Sequence, residues 1–183
     1  MLTAALASCS VSTAGTPVAA FRAEPPTTRV GAPRVADPLN VAKFFSNLCA
    51  VLTPDRAKAV ANLVRTRTSV NDRGQTCHWN DEGFNGVSIS LIRGNGLSDV
   101  YGTRGYGSGY FEVAPDTAGY PGVYSSGSDA RPDGVCTMGV GIRDDVVMAV
   151  TSLLDATSPY RNDPCSLARR AAEAAIATIK ENA

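Results

Sequence analysis

Val87-Ser88-Ile89-Ser90-Leu91-Ile92-Arg93 sets apolar against hydroxyl side chains at alternate positions. Successive side chains of an extended strand point to opposite faces, so Val87, Ile89 and Leu91 share one face while Ser88 and Ser90 occupy the other. A strand of this kind belongs in an antiparallel sheet with one buried and one wet face. Further β-type runs lie on either side of it, at 76–80, 110–114, 122–125, 135–142 and 146–153. Asn85-Gly86 ahead of the alternating strand, and Arg143-Asp144-Asp145 between the last two, supply turn residues for neighbouring antiparallel strands.

Two helical signals flank these runs. Thr53-Pro54-Asp55 combines an N-cap, a proline at the first helical position and an acid in the first turn, and Ala57, Val60, Ala61 and Val64 follow at helical spacing. Asp163-Pro164 repeats the device, after which Leu167, Ala168, Ala171, Ala172, Ala175, Ile176 and Ile179 form one apolar stripe. The fold expected is α+β: an antiparallel sheet of about five to six strands, an N-terminal and a C-terminal helix packed on one face, and two disulfides.

The disulfide expectation comes from Cys49, Cys77, Cys136 and Cys165, which allow three pairings. Cys49 with Cys77 and Cys136 with Cys165 is favoured, because each bond would fasten a helix-bearing segment to a strand and the two would close loops of similar length. Each loop closure contributes about 3–4 kcal/mol in the chain-entropy model. The competing state, four buried free thiols, belongs to a reducing compartment. No Cys-x-x-Cys occurs, so the spacing supports neither a thioredoxin-like redox site nor a paired-knuckle zinc site.

Compartment is read from the N-terminus. Residues 1–8 are small or apolar and stop at Cys9, as at the end of a signal peptide's hydrophobic region. Leu6-Ala7-Ser8-Cys9 resembles the bacterial lipobox, which implies that Cys9 carries lipid (diacylglycerol, with a palmitate-type acyl chain) and becomes the first residue after cleavage. No Lys or Arg precedes this stretch and it is short, so the true start is expected upstream of Met1. Residues 10–38 hold Ser, Thr, Ala, Gly and Pro with few large apolar side chains, and are expected to be a disordered linker. The domain itself is expected over 39–183.

A chain of 183 residues is long enough for one such domain and short for two. Lys+Arg and Asp+Glu number 17 each, which gives no electrostatic reason to expect nucleic acid. Beyond residue 40 every apolar run is interrupted well before the roughly 20 residues needed to span a bilayer. The expected partners are therefore the membrane, through the lipid on Cys9, and an envelope protein or small ligand of unspecified kind.

Several phrases occur in order along the domain: Asp37-Pro38-Leu39, Leu48-Cys49-Ala50-Val51-Leu52-Thr53-Pro54, Cys77-His78-Trp79, Gly119-Tyr120-Pro121-Gly122-Val123, Arg131-Pro132-Asp133-Gly134-Val135-Cys136 and Asp163-Pro164-Cys165. Together they resemble an actinobacterial envelope lipoprotein family of unknown function, over roughly residues 37–180. The resemblance implies an extracytoplasmic, lipid-anchored domain with two structural disulfides, and carries no activity, substrate or cofactor. More loosely, the plan is similar to the extracellular sensor domains of some bacterial serine/threonine kinases, an analogy of fold alone.

Catalytic and metal-binding patterns find little support. His78 is the single histidine, placed between Cys77 and Trp79 on a strand whose alternation turns it to the opposite face, where a structural role is expected. Asp129-Ala130-Arg131-Pro132-Asp133-Gly134 has Arg131 at the third place of a calcium loop and Val140 at the twelfth, so it reads as a turn. Gly94-Asn95-Gly96 lacks the Lys-Ser/Thr ending of a phosphate loop. No catalytic residue, metal ligand or cofactor is expected.

The remaining feature is the stretch 101–111, where Tyr101, Arg104, Tyr106, Tyr110 and Phe111 are interleaved with glycines. Tyr and Arg anchor recognition surfaces and glycine loops reshape around partners, so these five are the candidate binding residues. The alternative is a connection whose tyrosines pack on their own domain. The resulting functional expectation is a non-catalytic binding or sensing module of the envelope. A carboxylate-based envelope hydrolase or transferase, and a purely structural surface protein, are the alternatives.

Overall fold

The hydroxyl side chains of the alternating strand do face away from the main core: Val87, Ile89 and Leu91 are buried, while Ser88 and Ser90 are half-buried on the other face. The structure, a computed structural model, describes residues 29–72 and 74–182; Cys9 and most of the expected linker lie outside the described residues. Seven strands form one sheet: β1 (Arg65–Asn71), β2 (Gly74–Asn80), β3 (Gly86–Arg93), β4 (Tyr110–Thr117), β5 (Tyr120–Ser126), β6 (Val135–Arg143) and β7 (Val146–Leu153). Their order is β1-β2-β3-β7-β6-β5-β4, antiparallel throughout. The chain runs β1 to β3 as hairpins and crosses to the far edge through α2 (Leu97–Tyr101). It then returns strand by strand until β7 pairs with β3.

The sheet is larger than the five to six strands expected, and the missing one is β1. Its sequence, Arg-Thr-Arg-Thr-Ser-Val-Asn, carries no apolar alternation because an edge strand with its side chains largely in water needs none; Val70 is 75% exposed. The Asn85-Gly86 turn also sits differently. The β2–β3 connection spans residues 81–85 with Phe84 left-handed at φ 66°, and Gly86 already pairs with Asn80. A Cβ on Gly86 would collide with the Trp79 carbonyl, so glycine serves a close backbone approach there.

Both helix caps form as the sequence requires. The Thr53 hydroxyl accepts from the Arg56 N–H (3.4 Å) at the start of α1 (Pro54–Ala61), and the Asp163 carboxylate accepts from the Ser166 N–H (3.1 Å) at the start of α3 (Pro164–Glu181). α3 lays its buried stripe of Leu167, Ala168, Ala171, Ala172, Ala175, Ile176 and Ile179 against β6 and β7. The small alanines let the helix approach the strands closely. α1 packs chiefly on α3, where Arg56 reaches both carboxylate oxygens of Glu181 and the Thr178 hydroxyl. Among the described residues no helix is long and apolar enough to cross a membrane.

Two disulfides staple this layer. Cys49, in a 3-10 turn at Leu48–Val51, is bonded to Cys77 of β2 with Cα atoms 5.3 Å apart. Cys136 of β6 is bonded to Cys165 in the first turn of α3 with Cα atoms 5.1 Å apart.

Residues 29–38, assigned by composition to the linker, lie against the domain. Ala32 and Val35 are buried, and the Leu39 N–H donates to the Ile142 carbonyl (3.0 Å). Asp144, in the β6–β7 turn, accepts from the Arg29 guanidinium (2.5 Å) and from the Val35 N–H (3.1 Å). These partners, Arg29 first, hold the Asp144 carboxyl below its usual range. A carboxyl whose folded-state pKa is depressed stabilises the fold fully above its unfolded value of about 3.9, and loses that contribution as pH falls through the folded value. Asp144→Ala at neutral pH is expected to reproduce the effect of acid. Tryptic cleavage after Arg34 should accelerate by about tenfold while β7 amides keep their exchange protection, as local opening predicts; unchanged cleavage would show that apolar packing alone holds the segment.

Candidate functional site

The two faces of the sheet are covered unequally. The face under α3 holds the main core, including Trp79, Ile89, Met138, Val140, Ile142 and Met148. The opposite face has a small cluster of Ala32, Leu97, Tyr101, Val123 and Val147 at one end, beneath α2. Elsewhere its surface is built largely of hydroxyl residues in register across strands: Thr137, Thr151 and Ser88 form one row that ends in the imidazole of His78, and Ser90, Thr76 and Ser69 part of the next. Side chains satisfy one another within these rows, through Thr137–Thr151 (3.1 Å) and Thr76–Ser90 (2.8 Å), and between them, through Ser69–His78 Nε2 (2.8 Å). Partial burial, then the Arg67 charge, lowers the His78 pKa. Its hydrogen bond to Ser69 fits the structural role expected of it.

Where hydroxyl face and apolar cluster meet, the loop after α2 encloses a pocket of about 650 Å3. Local sequence dictates how. Asp99 accepts from the backbone and side-chain N–H groups of Asn95 (2.8 and 2.9 Å) and so closes the first turn of α2. Leu97 then packs over Gly141, where a Cβ would overlap it. Beyond α2 the chain turns through Gly105 and Gly107, both left-handed, and joins β4 at Tyr110. A Cβ on Gly109 would strike the Ser126 carbonyl, so the loop lies against the end of β5. Ile92, Val100, Phe111 and Val147 give the pocket an apolar floor; Thr103, Ser125, Ser126 and Thr137 give it hydroxyls.

The five candidate binding residues separate into two groups. Tyr106, Tyr110 and Phe111 line the pocket, and Tyr106 is 72% exposed. The Tyr110 hydroxyl accepts from the Thr137 N–H (3.1 Å), and burial pushes its pKa up. Tyr101 is instead 7% exposed and meets Phe111 edge-to-face at 5.0 Å, so it anchors the loop from below. Arg104 lies over the Phe111 and Tyr101 rings, 4.3 and 5.3 Å from their centroids, and does not line the pocket. Apart from Phe111, the floor came from residues the sequence did not single out. Ile92 and Val147 read as ordinary strand positions, and only the crossover to β4 sets them beside the loop.

Carboxylates gather elsewhere, around a second, more polar cleft of about 590 Å3 at the start of α3. Glu112 and Asp129 both bind Arg131 there (each 2.6 Å to a terminal guanidinium nitrogen), and Arg131 also lies over the Tyr110 ring at 4.0 Å. Hydrogen bonds from Arg131 hold the Asp129 carboxyl below its usual range, the opposite of what a proton-donating acid requires. Gly134, at φ 85°, closes this turn into β6. Among the described residues no group of three His, Cys, Asp or Glu is placed to hold a metal ion.

Fold and site together define a disulfide-stapled α+β domain, closed on one sheet face and pocketed on the other. The chain belongs to the family described as protein of unknown function DUF3558, whose model matches residues 4–178. Comparison with curated proteins and with solved structures returns no match.

Proposed function

We propose that this chain is an exported, lipid-anchored protein on the extracytoplasmic face of the cell membrane, and that its domain is a non-catalytic binding or sensing module. Its binding site in this reading is the pocket lined by Tyr106, Tyr110 and Phe111. The observation that carries it is the pocket itself: a concavity of ligand size with an apolar floor and convergent hydroxyl groups, the usual composition of a small-molecule site. The anchor rests on Leu6-Ala7-Ser8-Cys9, which falls within the family match, and two disulfides suit an oxidising compartment. The carboxylate-hydrolase alternative is weakened because Glu112 and Asp129 are committed to Arg131.

The test is made on protein extracted from the membranes of the cells that produce it. Intact mass is expected to show cleavage before Cys9, added acyl chains and four oxidised cysteines. Native mass spectrometry of the same sample should show a bound small molecule that is missing from Gly127→Trp. Gly127 lines the pocket and a Cβ there meets no atom within 4 Å, so a bulky indole can be added at the pocket wall without displacing the chain. An unprocessed N-terminus with free thiols would overturn the address, and ligand retention by Gly127→Trp would overturn the site.

A further inference from the structure

We infer that the pocket selects an uncharged amphiphile, a molecule with an apolar body and neutral hydrogen-bonding groups. The inference rests on the pocket being the binding site and adds the class of ligand. Its warrant is the placement of charge around the cavity. Among the described residues Asp99 is the one charged side chain that lines it, and both its oxygens already accept from Asn95. No Lys or Arg is among the described residues that line the pocket, and Arg131 behind Tyr110 is committed to Glu112 and Asp129, so an anionic ligand would leave water without gaining a counterion and would meet a carboxylate. Aromatic walls usually invite cations. Here two of the three lining rings are already covered, Phe111 by Arg104 and Tyr110 by Arg131, so an incoming cation would leave water and find only the exposed Tyr106 ring open. A neutral ligand incurs neither cost. Its apolar body can displace water from Ile92, Val100 and Val147, while its polar groups meet Ser125, Ser126 and Thr103 at the mouth.

The experiment displaces the neutral fluorophore N-phenyl-1-naphthylamine from the disulfide-intact domain with three competitors of one chain length: decanol, decanoate and decyltrimethylammonium. Decanol is expected to displace the probe at a concentration at least about tenfold below that of either ion, reflecting the cost of stripping water from an unpaired charge. Arg104→Gln uncovers the Phe111 face and removes a positive charge, so it should narrow the gap for the cation without narrowing that for decanoate. Displacement by either ion at or below the decanol concentration overturns the inference while the pocket remains the site. Failure of the probe to bind, or equal binding to Gly127→Trp, overturns the site itself and with it this inference. Melting temperatures of both variants within about 2 °C of the parent show that the fold is intact.

Discussion

Replacing Trp79 with alanine is expected to destabilise the domain by about 3–5 kcal/mol, the usual range for removing a large aromatic from a packed core. Trp79 is 2% exposed on β2, directly opposite Val87 of β3, and belongs to the main core with Leu48, Val51 and Leu52 of the preceding segment. The cavity left behind would lie beneath the 3-10 turn at Leu48–Val51, which the Cys49–Cys77 bond prevents from collapsing freely onto the sheet. A domain of this size shifts its melting temperature by roughly 2–4 °C per kcal/mol, so the expected fall is about 6–20 °C. Trp79→Phe keeps most of the apolar contact and should lose less than half as much. A loss under about 1 kcal/mol for the alanine variant, measured by urea unfolding, would show that this side of the core repacks.

The second large effect is expected from the Cys136–Cys165 bond. Its cysteines are 29 residues apart, and the chain-entropy model gives about 3–4 kcal/mol for a loop of that length. The double variant Cys136→Ala, Cys165→Ala removes the link without leaving a thiol. Reduction of the parent should move its denaturation midpoint in the same direction. Cys49 and Cys77 are 28 residues apart, so the same model predicts nearly equal losses for the two bonds. A difference above about 1 kcal/mol would locate an effect in the native state, where Cys136–Cys165 holds the first turn of α3 against β6. Cys136 is fully buried and Tyr110 points its hydroxyl toward that sulfur (3.7 Å), so loss of this bond should also loosen one wall of the pocket.

Strands whose two faces meet different surroundings were legible in the sequence. β7 spans residues 146–153 as the hydrophobic run indicates, and α1 and α3 begin at Pro54 and Pro164 because cap and proline fix their first turns. β1 was illegible for a physical reason: neither of its faces is buried deeply, so no periodicity is imposed on Arg65–Asn71. α2 was hidden likewise. Five residues among glycines are too few to show a helical period, and the helix depends on Asp99 closing onto Asn95 and on Leu97 over Gly141. Aromatic and glycine content revealed the loop at 101–111 as a recognition candidate. Which of its rings face a cavity was decided by the crossover from β3 to β4, a long-range property that local composition does not encode. Tyr101 shows the limit most clearly, since it shares its type and spacing with Tyr106 yet lies at the bottom of the small cluster.

The attachment of residues 29–35 to Asp144 has a mechanical consequence. Tension applied from upstream of Arg29 enters the fold at the turn joining β6 and β7, which lie side by side in the middle of the seven-stranded sheet. From there it spreads into the β3 and β5 ladders on either side and, through the Cys136–Cys165 cross-link, into α3. The outermost strands, β1 and β4, stay off this load path. A body hung in this way resists being pulled apart at its margins, and it yields first where an arginine grips a single carboxylate.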